Sequence, residues 1–164
     1  MEKARCKVSV TTIIYAPIDV SMPGLVRRAM ELGGRVNSVN EELRRVVFSS
    51  PLPEARRIAE EAVSRGVPGE NIAFEVTVAC RGLGAWRVPK SFVSKRVGRR
   101  LIAAGICEGR VVVVEVKTDI VLIKIGRLSR NILVRAFPPP GEVVLARLPE
   151  SDDIQEVVKC VLKG

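Results

Sequence analysis

The sequence contains no histidine. That absence removes the Ser-His-Asp and Cys-His catalytic units, the imidazole base that titrates near neutral pH, and every zinc site that needs an imidazole ligand. Any catalysis falls to Asp, Glu, Lys, Cys or a partner protein. Aromatic residues are scarce too, six in 164, and Asn and Gln together number five. Few amides beside a charged fraction of 27% that is rich in Arg suggest a heat-adapted source. Long apolar runs are missing as well: the stretches at 111–114 and 120–123 are far shorter than the roughly 20 residues of a membrane-spanning helix. The chain opens on Glu2, Lys3 and Arg5 and shows no small-residue cleavage site, so the expectation is a cytoplasmic protein without a secretory signal and with no membrane partner.

The four cysteines, Cys6, Cys80, Cys107 and Cys160, are too scattered for a CxxC ligand pair or redox motif. Buried apolar thiols are the expected state. Disulfides stay open as an alternative, since intracellular proteins of hyperthermophiles do form them. Neither a Walker loop nor a GxGxxG fingerprint is present, so no cofactor and no metal are expected.

What the chain does have is a core and a localised charge. An apolar fraction of 47% over 164 residues suffices for one domain or two small packed ones. The formal charge of +9 is uneven: residues 1–75 hold 11 basic and 10 acidic side chains, residues 76–164 hold 16 and 8. Within the second part, residues 76–107 carry Arg81, Arg87, Lys90, Lys95, Arg96, Arg99 and Arg100 with no Asp or Glu. Such a block is a polyanion signal, because like charges held close cost stability unless a ligand neutralises them.

Periodicity divides the chain into elements. Residues 7–15 are β-branched and stop at Pro17, predicting a strand; 24–32 predicts a helix ended by Gly33 and Gly34. A short strand at 45–48 and a helix at 53–65, with Pro53 near its start and Gly66 at its stop, follow. The break at Val67-Pro68-Gly69 predicts a boundary near residue 70. Beyond it, alternation over 72–79 predicts a strand, and 81–89 a Gly-rich loop. Phe92, Val93, Val97, Leu101 and Ile102 recur at helical spacing, predicting a basic helix from Ser91 to about Ala104 that is stopped by Gly105. Residues 111–116 and 120–125 predict an antiparallel hairpin. Further strands are expected at 132–136 and 143–146, around Pro138 to Pro140. A final helix is expected from Ser151, with Asp152 and Asp153 at its N-terminus.

Trp86, the only tryptophan, stands in the Gly-rich loop between Arg81 and Arg87. Two readings stand: a ring that stacks on an exposed base, or a plug that pins the loop to its domain. The carboxylates Asp19, Glu41, Glu42, Glu60, Glu61, Asp152 and Asp153 define no acid-base site, and the adjacent pairs Glu60-Glu61 and Asp152-Asp153 fall on helix surfaces. No catalytic residue is assigned, and the protein is read as a non-enzyme.

The succession Phe74-Glu75-Val76-Thr77-Val78, Arg81-Gly82, Lys90-Ser91, Val97-Gly98-Arg99, Val112-Val113-Val114-Glu115-Val116 and Asp119 resembles a THUMP domain over residues 72–125. The resemblance implies an α+β protein: a ferredoxin-like N-terminal subdomain, residues 1–70, packed on a THUMP-like α/β RNA-binding subdomain, residues 71–164, which includes the C-terminal helix. It also implies RNA as partner, above all tRNA at its acceptor end. A stand-alone member of that family resembles an adaptor that presents tRNA to a separate modification enzyme, such as an acetyltransferase acting on a cytidine.

The expected RNA contacts are Arg81, Arg87, Lys90, Lys95, Arg96, Arg99 and Arg100 to phosphates and Trp86 to a base, with Lys124, Arg127 and Arg130 adding to them. Four to seven phosphate contacts give a logarithmic salt slope of about −3 to −6. Two other classes stay open: a protein-interaction module or homodimer that uses an edge strand near 132–136, and a small domain that binds a phosphate-bearing ligand.

Overall fold

The structure is a computed structural model and describes residues 5–83, 86–125 and 151–163. It is a mixed α+β protein. Among the described residues eight strands form an antiparallel sheet in the order β2-β3-β1-β4-β8-β7-β6-β5, accompanied by three α-helices. The elements are β1 (Arg5–Tyr15), α1 (Met22–Glu31), β2 (Arg35–Asn40), β3 (Arg45–Ser50), α2 (Leu52–Ser64), β4 (Ile72–Arg81), β5 (Val93–Val97), β6 (Arg100–Cys107), β7 (Arg110–Lys117), β8 (Ile120–Ile125) and α3 (Ser151–Lys163). The expected strands at 132–136 and 143–146 lie outside the described residues, as do Arg127 and Arg130. The described residues fall into two compact units, 9–75 in one and 5–8, 76–125 and 151–163 in the other.

In the 9–75 unit, alternation decides which side chains go inside. Val10, Ile14, Val46 and Phe48 are fully buried on one face of the sheet, where β1 and β3 pair antiparallel with Ile14 opposite Val46. Helix α1 adds Leu25 and Ala29 to this core, and α2 adds Ala55, Ile58, Ala59 and Ala62. Burying each large side chain of this set stabilises the unit by about 1.5–3 kcal/mol. Ser21 caps α1, its Oγ accepting from the Gly24 N–H at 3.2 Å. Gly33 and Gly66 follow α1 and α2 with φ of +100° and +106°, a conformation that ends a helix cheaply only without a Cβ. The expected helices are therefore present, each shifted by one or two residues.

β2 is the element that pattern reading misses. Its sequence, Arg35-Val36-Asn37-Ser38-Val39-Asn40, is polar and mostly exposed, and its pairing with β3 shifts register between Val36 and Ser38. An edge strand with a bulge has no buried face to impose alternation.

In the second unit, β4, β8, β7, β6 and β5 pair antiparallel in succession. Val78, Ile123, Val114 and Ala103 stand opposite one another across four strands and are all buried. With Val112, Ile125, Ile154, Val157 and Val161 they make up this unit's core, the last three from α3. The expected hairpin of β7 and β8 is present, joined at Thr118 and Asp119.

The predicted basic helix from Ser91 to Ala104 is not formed: these residues are β5, a two-residue turn and the first half of β6. Gly98 takes φ +63° at the first of the two turn residues, Arg99 is the second, and Val97 pairs with Arg100. The apolar residues Val93 and Val97 fit both periods, and the strands that flank them resolve the ambiguity. Gly105, read as a helix stop, is mid-strand, and a Cβ there would overlap the Phe92 ring.

The cysteines also depart from expectation. All four pair, Cys6 with Cys80 and Cys107 with Cys160, both bonds lying within the second unit. The first bridges the ends of β1 and β4; the second ties the end of β6 to α3.

Candidate nucleic-acid interface

Seven cations leave the second unit from one loop and one hairpin. Arg81 ends β4, Arg87 and Lys90 lie on the connection to β5, and Lys95, Arg96, Arg99 and Arg100 belong to the β5–β6 hairpin; all are exposed. Every residue from Val93 to Arg100 is exposed, so β5 presents both of its faces to solvent. Neighbouring residues of a strand point to opposite faces, which sends Lys95 to one side of the hairpin and Arg96 to the other. Arg99 sits at the tip, next to Gly98, around which a Cβ would meet no atom within 4 Å. Lys95, Arg96 and Arg99 have no ion pair to a described carboxylate.

Arg100 differs from its neighbours. Its Nη1 lies 2.8 Å from Glu115 Oε1, and Lys117 Nζ and Lys124 Nζ approach the same carboxylate at 3.6 and 3.9 Å. The register explains the meeting. Ile102 pairs with Glu115, and Glu115 with Leu122, so Arg100, Lys117 and Lys124 all stand two residues from that row on the same sheet face. Burial alone would raise the Glu115 pKa, but the Arg100 hydrogen bond and the charges of Lys117, Arg100 and Lys124 outweigh it and hold the carboxyl below its ordinary value. Lys117, expected in the join of the 111–125 hairpin and not among the expected RNA contacts, is a further cation of this face. Its alternation with Glu115 along β7 was the available signal.

A depressed carboxyl stabilises the fold at pH above its ordinary value of about 4.3 and loses that contribution as pH falls through its folded value. The three cations are each more than a third exposed, so screening keeps the gain below about 1 kcal/mol. Glu115→Gln is therefore expected to cost little in thermal stability while releasing three cations. Polyanion affinity at low salt should rise a few-fold, with a steeper salt slope. Titrating wild type and variant with the same RNA checks this; unchanged affinity would place this sheet face outside the footprint.

Trp86 is half-buried, and its Nε1–H donates to the Val161 carbonyl of α3 at 2.9 Å. The pinning reading describes this geometry. The indole's one donor is committed to the protein backbone, and the other described aromatic residue of this unit, Phe92, is buried. The expected base contact by Trp86 is left with a ring that is partly exposed and whose N–H is already engaged.

The 9–75 unit has a cleft of about 600 Å³ at the N-terminus of α1, with Ile18, Met22, Val26 and Val39 as apolar walls and Asp19, Glu41 and Arg44 as charged groups. Most Arg44 donors are committed: Nε to the Ala16 carbonyl at 2.9 Å, and Nη2 to those of Pro17 and Val20 at 2.9 and 2.5 Å. The cleft thus sets one guanidinium, largely engaged with backbone carbonyls, against two carboxylates on an apolar wall, a balance that disfavours a phosphate. Glu61, one of the candidate acids, is bound by Arg65 and Arg28, which hold its pKa below the ordinary value. Among the described residues no group of three or more Cys, Asp or Glu is placed to hold a metal ion.

No protein-family model, curated protein or solved structure matches this chain.

Proposed function

We propose that the protein binds RNA through the exposed cations of the 81–100 segment. The observation that carries this reading is Lys95, Arg96 and Arg99 on a hairpin exposed on both faces, in a 32-residue stretch without a carboxylate. Concentrated positive charge with no internal partner gains most from a polyanion that releases its counterions on binding.

The finer reading is an adaptor that presents tRNA to a separate modification enzyme. Two features support it. The order β1-α1-β2-β3-α2-β4 with strand order β2-β3-β1-β4 supports a ferredoxin-like subdomain, one that takes in β4 beyond the expected boundary near residue 70. The succession of motifs over 72–125 resembles a THUMP domain, although the segment that opens at Ser91 is a hairpin here. The absence of histidine suits a protein whose chemistry belongs to a partner.

Filter binding to bulk tRNA across a salt series tests the reading. Three to five phosphate contacts give a logarithmic slope of about −3 to −5; weak binding with a flat slope overturns it.

A second reading has its own observation. Val93, Val97, Ile106 and Val111 share one sheet face and are exposed by 74, 43, 67 and 36%. Exposed apolar side chains on one face favour a protein contact, including a homodimer. Sedimentation at several concentrations separates the two, since a dimer through this face forms without RNA.

A further inference from the structure

We infer that β5 is a docking edge for an extended acidic segment of a partner protein, which adds to the sheet as a further strand antiparallel to β5. The inference stands whether or not RNA uses the same cations.

A strand at the end of a sheet leaves half of its backbone N–H and C=O groups unpaired, and proteins blunt such edges with a proline, a bulge, a covering element or charge. β5 ends the strand order and, among the described residues, pairs with β6 alone. Its five residues are all exposed, none is proline, and its register with β6 runs from Val93 to Val97 without a shift. β2, at the other end of the order, carries a bulge between Val36 and Ser38. Charge alone guards β5, and charge excludes partners of one sign only. Full antiparallel overlap of two copies of β5 sets Lys95 against Lys95, which repulsion opposes, whereas an acidic strand is attracted by the same side chains.

The unpaired backbone points to a polypeptide. Val97 and Arg100 close a two-residue turn, so the backbone groups of Val97 face β6. Alternation then turns those of Lys95 and Val93 the same way and those of Ser94 and Arg96 outward. The edge thus offers two donors and two acceptors to an added strand. RNA can neutralise Lys95 and Arg96, but it brings no alternating N–H and C=O groups to extend the ladder. The side chains specify the rest. Opposite Val97, Arg96, Lys95, Ser94 and Val93, the matching pattern is apolar, acidic, acidic, polar, apolar. Val93 and Val97 supply exposed apolar ends, and Lys95 and Arg96 have no ion pair to a described carboxylate.

The test is fluorescence anisotropy with a labelled peptide that carries Val-Glu-Glu-Thr-Val between flexible Gly-Ser ends. One control has Lys for both Glu; another is N-methylated at the second and fourth residues of the pentad, which would face Arg96 and Ser94. The acidic peptide is expected to bind, and the Lys peptide to bind at least about tenfold more weakly. N-methylation keeps the charge but removes the ladder donors, and is expected to abolish measurable binding. In the protein, Ser94→Pro removes one outward donor, breaks no bond to β6 and keeps every cation. It is expected to weaken the acidic peptide at least about tenfold, with the thermal midpoint showing that the variant is folded. An N-methylated peptide that binds as tightly as its parent overturns the inference, since charge alone would then account for binding, and it does so without any variant. So does undiminished peptide binding by folded Ser94→Pro, or no binding of the acidic peptide at about 1 mM. A wild-type dimer in sedimentation that Ser94→Pro dissociates would give the edge to a second copy and overturns it too. Tight tRNA binding beside no peptide binding overturns this inference and leaves the RNA-binding reading in place.

Discussion

Replacing Lys95, Arg96 and Arg99 together by Glu is expected to lower tRNA affinity by at least about a hundredfold near 0.1 M salt and to flatten the salt dependence by about three units of slope. Each substitution removes a phosphate partner and puts a carboxylate where a phosphate would lie. The three side chains are exposed and have no described carboxylate partner, so the fold has little to lose. Arg100 is left out of this variant on purpose, because a Glu there would face Glu115 across the sheet and disturb the hairpin. The measurement is a tRNA binding isotherm at four or more salt concentrations, with circular dichroism to confirm strand content. Retained affinity in a folded variant would assign the positive charge to solubility alone.

Removing the Cys107–Cys160 bond is expected to lower the thermal midpoint by roughly 5–15 °C. The bond closes a loop of 53 residues, and loss of such a cross-link costs about 2–5 kcal/mol, which in a chain of this size converts to shifts of that order. Its position adds to the effect, since α3 supplies Ile154, Val157 and Val161 to the core and is otherwise tied to the unit by that packing, the Trp86–Val161 hydrogen bond and the Arg110–Asp153 ion pair. Cys107→Ser with Cys160→Ser, compared by calorimetry with the wild type, measures the shift. A thiol titration of the denatured wild type that returns four free thiols would show that neither pair forms.

Much of the fold was legible where a buried face repeats. α1, α2 and β1 announce themselves because Leu25 and Ala29, Ile58 and Ala62, and Val10 and Ile14 recur at the period of their element. β2 was not legible, because an edge strand with one bulge and a polar sequence carries no such repeat. The hairpin of β5 and β6 failed for a different reason. Val93, Val97 and Leu101 are spaced alike for a helix, and the decisive residue is Gly98, whose positive φ makes a two-residue turn that a helix has no use for.

The candidate site shows the same division. The acid-free block of cations is a property of composition, and the exposure of Arg81, Arg87, Lys90, Lys95, Arg96, Arg99 and Arg100 agrees with it. Which of them are already neutralised is a property of register. Only the pairing of β6, β7 and β8 brings Arg100, Lys117 and Lys124 to Glu115, residues separated by up to 24 positions in sequence. The disulfides were hidden likewise, since partners 74 and 53 residues apart leave no local trace.

The bond from the Trp86 indole to the Val161 carbonyl gives the molecule a built-in optical reporter. Excited at the red edge of its absorption, where Tyr15 is silent, the emission comes from this one ring, which belongs to the unit that carries α3 and the basic hairpin. Tyr15 belongs to the other unit. A melting curve followed by tryptophan emission and one followed by tyrosine therefore ask separate questions of the two units. Whether the curves coincide measures how far the units unfold as one.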